Sequence, residues 1–266
     1  VGTAPAGASY DSTLRLNQAV RIFTGGPVPN GADAIVIQEN TTAEANTVTV
    51  LEGTTTTGRF VRPAGLDFKE GQTLLFAGRA LTARDIGLAA GMNVPWLKVR
   101  RKPLIALLST GDEIVMPGDP IGPNQIVSSN GLAVSSFIGA EGGSAIDLGI
   151  SPDSRDTLKA MAAGARGADM LVTTGGASVG DQDIVQNVLG EVGLELNFWR
   201  IAMRPGKPLI FGQIAETPIL GLPGNPVSAT VCALIFLGPA IRSMLGFSKP
   251  VTPMANAILG LSLIHI

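Results

Sequence analysis

Two uninterrupted apolar runs, each ending in a glycine-bearing polar loop, constrain this chain more than anything else in it. Pro103-Leu104-Ile105-Ala106-Leu107-Leu108 leads into Ser109-Thr110-Gly111-Asp112-Glu113, and Asp169-Met170-Leu171-Val172-Thr173-Thr174 leads into Gly175-Gly176. A strand that is apolar at every position must be covered on both faces, which a parallel sheet with helices on either side achieves. Between the runs lie helical patterns over 130–141 and from Ser154 to about Arg166, with a strand over 145–150. A further helix is expected after the second loop, with Ile184, Val185, Val188, Leu189 and Val192 on one face. This alternation predicts an α/β fold, a three-layer parallel-sheet domain over 103–247. Ligands of such sheets sit beyond the carboxyl ends of the strands, where the glycine-rich loops fall.

The same domain is expected to close with a short hairpin, 208–212 against 218–221. A long helix then begins with Asn225 as N-cap and Pro226 at the first helical position and runs to about Leu245. Residues 1–78 read differently. Short apolar groups such as Ala34-Ile35-Val36-Ile37 and Val48-Thr49-Val50-Leu51 alternate with Gly, Pro, Asn and Thr, as in part of a small β-domain. Residues 79–102 form a linker segment with a short helical pattern, and Arg100-Arg101-Lys102 is expected to be a solvated lead into the next strand. Residues 248–266 read as the start of a truncated β-domain with a tail that continues no element. The chain is accordingly expected to lack both termini of a longer protein.

Composition removes several chemistries. Cys232 is the one cysteine and sits in an apolar run, so a buried, inert thiol is expected and a disulfide framework or thiolate metal cluster is not. His265 is the one histidine and lies in the tail, which leaves no histidine-based triad or metal site. A formal net charge of −2 gives no field that would gather nucleic acid or acidic lipid, so any anion site must be local. The apolar stretches read as too short to span a membrane and no signal peptide opens the chain, so a cytoplasmic protein is expected.

Four loops carry candidate chemistry. In Ser109-Thr110-Gly111-Asp112-Glu113, small residues let a ligand approach the backbone, and the two acids could bind Mg²⁺ or a heterocycle, or simply be solvated. In 174–183, Gly175, Gly176, Ser178 and Gly180 expose backbone N–H groups ahead of a helix, as an anion cradle does, with Asp181 and Asp183 behind them. Asp181 reads as a cap and Asp183 as the better ligand. Arg200, Arg204 and Lys207 surround the Pro205-Gly206 turn, and three cations there suit a phosphate, although each could make a structural ion pair. Pro223, Gly224, Asn225 and Ser228 start the last helix, either as another anion site or as a well-made cap. Together they favour a phosphorylated ligand with a divalent metal.

The quoted motifs, in this order, resemble those of the molybdopterin molybdenumtransferase family, which includes the C-terminal domain of gephyrin. The likeness extends to Phe23-Thr24-Gly25-Gly26-Pro27-Val28-Pro29 and Gly31-Ala32-Asp33-Ala34, and covers about residues 1–247. It implies molybdenum insertion from molybdate into molybdopterin, with Mg²⁺-dependent cleavage of adenylylated molybdopterin and release of AMP, downstream of a molybdopterin adenylyltransferase. It implies that Glu113, Asp153 and Asp183 are site acids, Glu113 and Asp183 being the metal candidates, and that Arg200 and Arg204 bind oxyanions. Thr24, Arg62 and Asp67 match positions that face the α/β domain of a second subunit, which implies a homodimer with composite sites. Which acids hold metal and which bind the pterin stays open.

Three departures stand out. The family's Asp-Gly-Tyr-Ala motif is absent, the C-terminal β-domain stops after Pro250, and Ser128-Ser129-Asn130 stands where Asp-Ser/Thr-Asn is usual. This chain by itself is therefore expected to bind and turn over ligand poorly. The rival readings are an adenylyltransferase-like module, disfavoured by the preceding β-domain and the 222–228 motif, and a molybdopterin-binding scaffold. A nucleotide-binding module is disfavoured by the missing Lys-Ser/Thr ending of a phosphate loop.

Overall fold

The computed structural model describes residues 1–51, 53, 55–175, 188, 190–191, 193–256 and 258. The chain divides into two compact units, Val1–Leu74 and Leu75–Ile266.

In the first unit, β1 (Gly2–Ala4) pairs in parallel with β2 (Val20–Ile22), and β3 (Thr41–Glu44) forms a tight hairpin with β4 (Thr47–Val50). The Ala34–Ile37 group, expected to be strand-like, forms no ladder. Ile35 donates one bond to Arg59 O at 3.0 Å, and a 3₁₀ turn, Gln38–Asn40, follows. Its four residues are only half-buried or exposed, so no second strand is drawn against them.

The second unit opens with α1 (Ala83–Gly91), started by a capping box in which Thr82 and Asp85 bond each other's backbone. Then come β5 (Leu104–Thr110), the two-residue strands β6 (Ile114–Val115) and β7 (Ile126–Val127), α2 (Asn130–Ala140) and β8 (Ser144–Ser151). They are followed by α3 (Arg155–Ala162), extended by a 3₁₀ turn at Ala163–Ala165, and by β9 (Met170–Thr174). Beyond the expected 184–192 helix, of which Val188 is described and buried, lie β10 (Leu194–Arg200), β11 (Pro208–Ile214) and β12 (Thr217–Leu222). The last helix is continuous from α4 (Pro226–Cys232) through a π turn at Ala233–Leu237 into α5 (Gly238–Met244).

Six strands form the central sheet in the order β10-β11-β12-β9-β5-β8. β12, β9, β5 and β8 are parallel, whereas β11 runs against both of its neighbours. The sheet is thus mostly parallel, with one reversed strand near an edge. β10 escaped the sequence reading because Leu196 and Phe198 are partly exposed and give no buried run. One face packs Ile105, Leu107, Met170, Val172, Leu220 and Leu222 against α2 and the last helix; the other packs Ala106, Leu108, Leu171 and Ile219 against Leu158, Ala165 and Val188. At about 1.5–3 kcal/mol for each fully buried Leu or Ile, these two layers dominate the stability of the unit.

One expectation needs correction. The helix Pro226–Met244 is, by length and composition, long and apolar enough to cross a membrane. The sequence reading counted only unbroken apolar runs, while this helix admits Ser228, Thr230 and Arg242. One face of it, with Ala229, Cys232, Ala233, Leu237 and Ile241, packs on the sheet, and Arg242 pairs with Glu141, while Val227, Leu234 and Ile235 stay exposed. Arg101, expected to be merely solvated, grips Asp169 with two bonds of 2.6 Å, and Asp169 also accepts the Leu104 N–H at 2.7 Å.

Candidate functional site

Strands β5, β9 and β12 end side by side, and their loops meet through glycine. Gly175 follows β9 at φ +87°, and a Cβ there would drive into the Thr110 carbonyl at the end of β5. Its N–H donates to Leu222 O at 3.3 Å, and a Cβ on Gly224 would lie 3.5 Å from the Gly175 Cα. Three of the four predicted loops therefore share one point, where the positive φ and close approach of Gly175 leave no room for a side chain. Ser109, Thr110, Thr173 and Thr174 are buried here, with Thr174 Oγ1 donating to Ser109 Oγ at 3.1 Å. The Thr110 and Thr173 hydroxyls, on the other face, have no hydrogen-bond partner among the described residues.

The acids gather one strand over. The Asp153 N–H, just after β8, donates to Asp112 Oδ1 at 3.0 Å, and the Glu113 carboxylate folds back over Gly111. Burial first, then the charges of Asp112 and Glu113, push the Asp153 carboxyl above the usual carboxylate range. Among the described residues no group of three acids is arranged to hold a metal. Gly176, Ser178, Gly180 and Asp183 lie outside the described residues.

Because β10 runs with β12, Arg200 ends it at this same edge of the sheet, and the basic turn follows. Arg200 stacks over the Trp199 ring at 3.7 Å, and Arg200, Arg204 and Lys207 are all exposed. No carboxylate among the described residues pairs with any of the three. The turn is seated by Gly206, at φ +110°, where a Cβ would be 2.6 Å from both Cys232 Sγ and Met203 Cε. Cys232 is fully buried, and burial pushes its thiol up, in keeping with an inert packing role.

At the last helix the expected cap is present. Asn225 Oδ1 accepts from the Val227 and Ser228 N–H groups at 3.1 and 3.2 Å, with Pro226 at the first helical position. Pro223 is buried and Gly224 exposed. In place of the usual carboxylate, Ser128 is buried with its N–H on Val115 O at 2.8 Å. Sequence reasoning missed Asn130 as a site residue: its Nδ2 donates to Gly224 O at 2.7 Å. Its signals are a polar amide at a helix start and its place as the last residue of the Ser128-Ser129-Asn130 segment. In the first unit, Thr24 is exposed in a turn, and Arg62 and Asp67 form a solvent-exposed pair at 3.7 Å.

The strand-end loops and the basic turn coincide with a known domain. Residues 106–243 match the family model described as "Probable molybdopterin binding domain", and residues 2–92 match "MoeA N-terminal region (domain I and II)". The chain belongs to this MoeA-type molybdopterin-binding family. It is 38% identical over 258 residues to a molybdopterin molybdenumtransferase of Nostoc sp. (96% of this chain, 59% of that protein). The corresponding figure for the enzyme of Haemophilus influenzae is 35% over 266 residues (98% and 65%). The crystal structure of a molybdopterin biosynthesis MoeA protein from Pyrococcus horikosii superposes with a TM-score of 0.78 at 33% identity, over 92% of this chain and 61% of that one. The chain thus spans about three fifths of the length of these relatives.

Proposed function

We propose that the protein to which this chain belongs inserts molybdenum from molybdate into molybdopterin, with cleavage of adenylylated molybdopterin and release of AMP. The observation that carries this reading is the meeting of the β5, β9 and β12 loops at Gly175, at the sheet edge that also holds an acid group and three exposed cations without a carboxylate partner among the described residues. The names of the relatives support the substrate class.

In this reading Ser109, Thr110, Gly111 and Asp112, with Gly175, Gly176, Ser178 and Gly180 and the Pro223-Gly224-Asn225…Ser228 loop, cradle the phosphorylated ligand through backbone N–H groups and hydroxyls. The Thr110 and Thr173 hydroxyls, which have no partner among the described residues, are compatible with a polar ligand at this edge. Arg200, Arg204 and Lys207 take up phosphate or molybdate charge from the neighbouring turn. Molybdate itself is substrate. The oxygen-rich donor set suits Mg²⁺, which commonly takes one or two carboxylates plus phosphate and water, so a closed protein cage is not required. Glu113 and Asp183 would hold it, and it would neutralise charge on the bond being cleaved. Asp153, with its raised pKa, is suited to donate or accept a proton near that bond. We also assign the protein a homodimeric state, in which Thr24, Arg62 and Asp67 complete the partner's site, a cytoplasmic location, and a supplying molybdopterin adenylyltransferase.

The test uses the full-length parent with adenylylated molybdopterin, molybdate and Mg²⁺, reading AMP and active cofactor. AMP release that is lost in Glu113→Gln and Asp183→Asn supports the proposal. An intact parent that releases no AMP overturns it, and tight pterin binding without release would favour a binding scaffold instead.

A further inference from the structure

The first turn of α2 touches two of the ligand loops at once. Asn130 Nδ2 donates to Gly224 O at 2.7 Å, across 94 residues of chain, and a Cβ on the adjacent Gly131 would lie 3.3 Å from Ser109 Oγ. The loop that Asn130 grips is stiff on both sides of one soft point. Pro223 and Pro226 fix their own φ angles, and the Asn225 side chain is committed to the Val227 and Ser228 N–H groups. Gly224 alone, with no Cβ, leaves the Gly224–Asn225 peptide plane able to rotate.

We propose that Asn130 is a positioning residue that locks this peptide plane, and with it the Asn225 N–H, for an oxyanion of the bound ligand. In a trans peptide the carbonyl and the N–H point in opposite directions. Holding Gly224 O toward α2 therefore turns the Asn225 N–H away from α2. Asn225 is exposed, and no described residue accepts that N–H. The group thus points away from α2 and has no acceptor among the described residues, on a loop whose Gly224 packs against Gly175. Freed of Asn130, the same plane could flip and present the carbonyl, an acceptor, to a phosphate or molybdate oxygen. The inference rests on the ligand reading above, but its structural part does not.

Asn130→Asp tests it cleanly, because the side chain keeps its size while the donor becomes an acceptor facing Gly224 O. An acid in the first turn favours α2 itself, so the variant probes the bond rather than the helix. Two readouts are taken on this chain: amide exchange at Val227 and Ser228, with Leu171–Thr173 of β9 as internal control, and the affinity for AMP with Mg²⁺ by calorimetry. Exchange at Val227 and Ser228 should rise about tenfold while β9 is unchanged, and AMP affinity should fall by about the same factor, the worth of one hydrogen bond. Asn130→Gln, which keeps an amide donor, should recover most of both. Wild-type exchange and affinity in Asn130→Asp would overturn the proposal, as would Asn130→Gln behaving like Asn130→Asp. If the wild-type chain binds no AMP, the ligand reading fails for this chain and the exchange measurement alone decides the positioning role.

Discussion

The backbone N–H of Asp153 donates to the carboxylate of Asp112 at 3.0 Å, so the loop after β8 is tied to the loop after β5 through an acid side chain. The contact brings the Asp153 carboxyl under the influence of two other negative charges, Asp112 and Glu113, whose effect adds to that of desolvation. One acid thereby organises the backbone while perturbing its neighbour.

Asp112→Asn should keep the acceptor and remove the charge, so the Asp153 pKa should fall back toward its ordinary value, as read by carbon NMR of the carboxyl group. The linkage has a definite sign. Because the folded pKa is raised, the stability from Asp153 is fully present below its unfolded pKa and lost as pH rises through the folded one. Asp153→Asn should therefore unfold at higher urea relative to wild type at neutral pH than at pH about 3.5. An unmoved Asp153 titration in Asp112→Asn would contradict the charge explanation.

Gly175→Ala and Gly206→Ala should differ in whether a second substitution can rescue them. Both add a Cβ at positive φ, but at Gly175 the obstacle is the Thr110 carbonyl, which belongs to a central strand. At Gly206 the obstacles are the Cys232 thiol and the flexible end of Met203. We expect about 3 kcal/mol of destabilisation for Gly175→Ala and about 2 kcal/mol for Gly206→Ala by urea unfolding. Adding Cys232→Ala should recover part of the Gly206→Ala loss and none of the Gly175→Ala loss.

Arg242 and Glu141 meet at 2.7 Å with their side chains only 18% and 20% exposed, and Arg242 also donates to Pro250 O at 2.9 Å. Removing one member strands the other in a poorly solvated position. Arg242→Met should cost about 2 kcal/mol, and the double variant with Glu141→Gln should lose less than the sum of the singles. Strict additivity in a double-mutant cycle would show that the pair is not coupled.

Asp169 is held below the usual carboxylate range, chiefly by its hydrogen bonds from Arg101, with help from the Leu104 N–H. Its stabilisation is therefore present above the unfolded pKa and lost as pH falls through the depressed folded value. Asp169→Asn should be less stable than wild type at pH 7 by about 1 kcal/mol, modest because Arg101 is largely exposed, with the gap closing as the medium is acidified below pH about 3.8. A gap independent of pH would mean that packing, not charge, is lost.

Legibility followed burial and local chemistry. β5 and β9 were plain from sequence because every position is apolar or small, and the Asn225-Pro226 helix start because cap and proline act within four residues. β10 was not, since Leu194, Leu196 and Phe198 lie in a strand of mixed exposure. The long 226–244 helix is legible, but its apolar stretches read as too short to span a membrane, because Ser, Thr and Arg interrupt them. Asn130 stands at a motif position marked by its missing acid, but its partner lies far along the chain.

By itself the sequence determined the buried strands β5 and β9, the helices that alternate with them, the cap on the last helix and the buried Cys232. These follow from periodicity and short-range bonding, which act over a few residues. The tertiary structure alone decided which arm of the expected hairpin joins the parallel strands, that Gly175 lies under Thr110 and beside Gly224, that Asp112 holds the Asp153 backbone, and that Asn130 reaches Gly224. Each depends on how distant segments return to a shared sheet edge, and no local pattern of residues encodes that return.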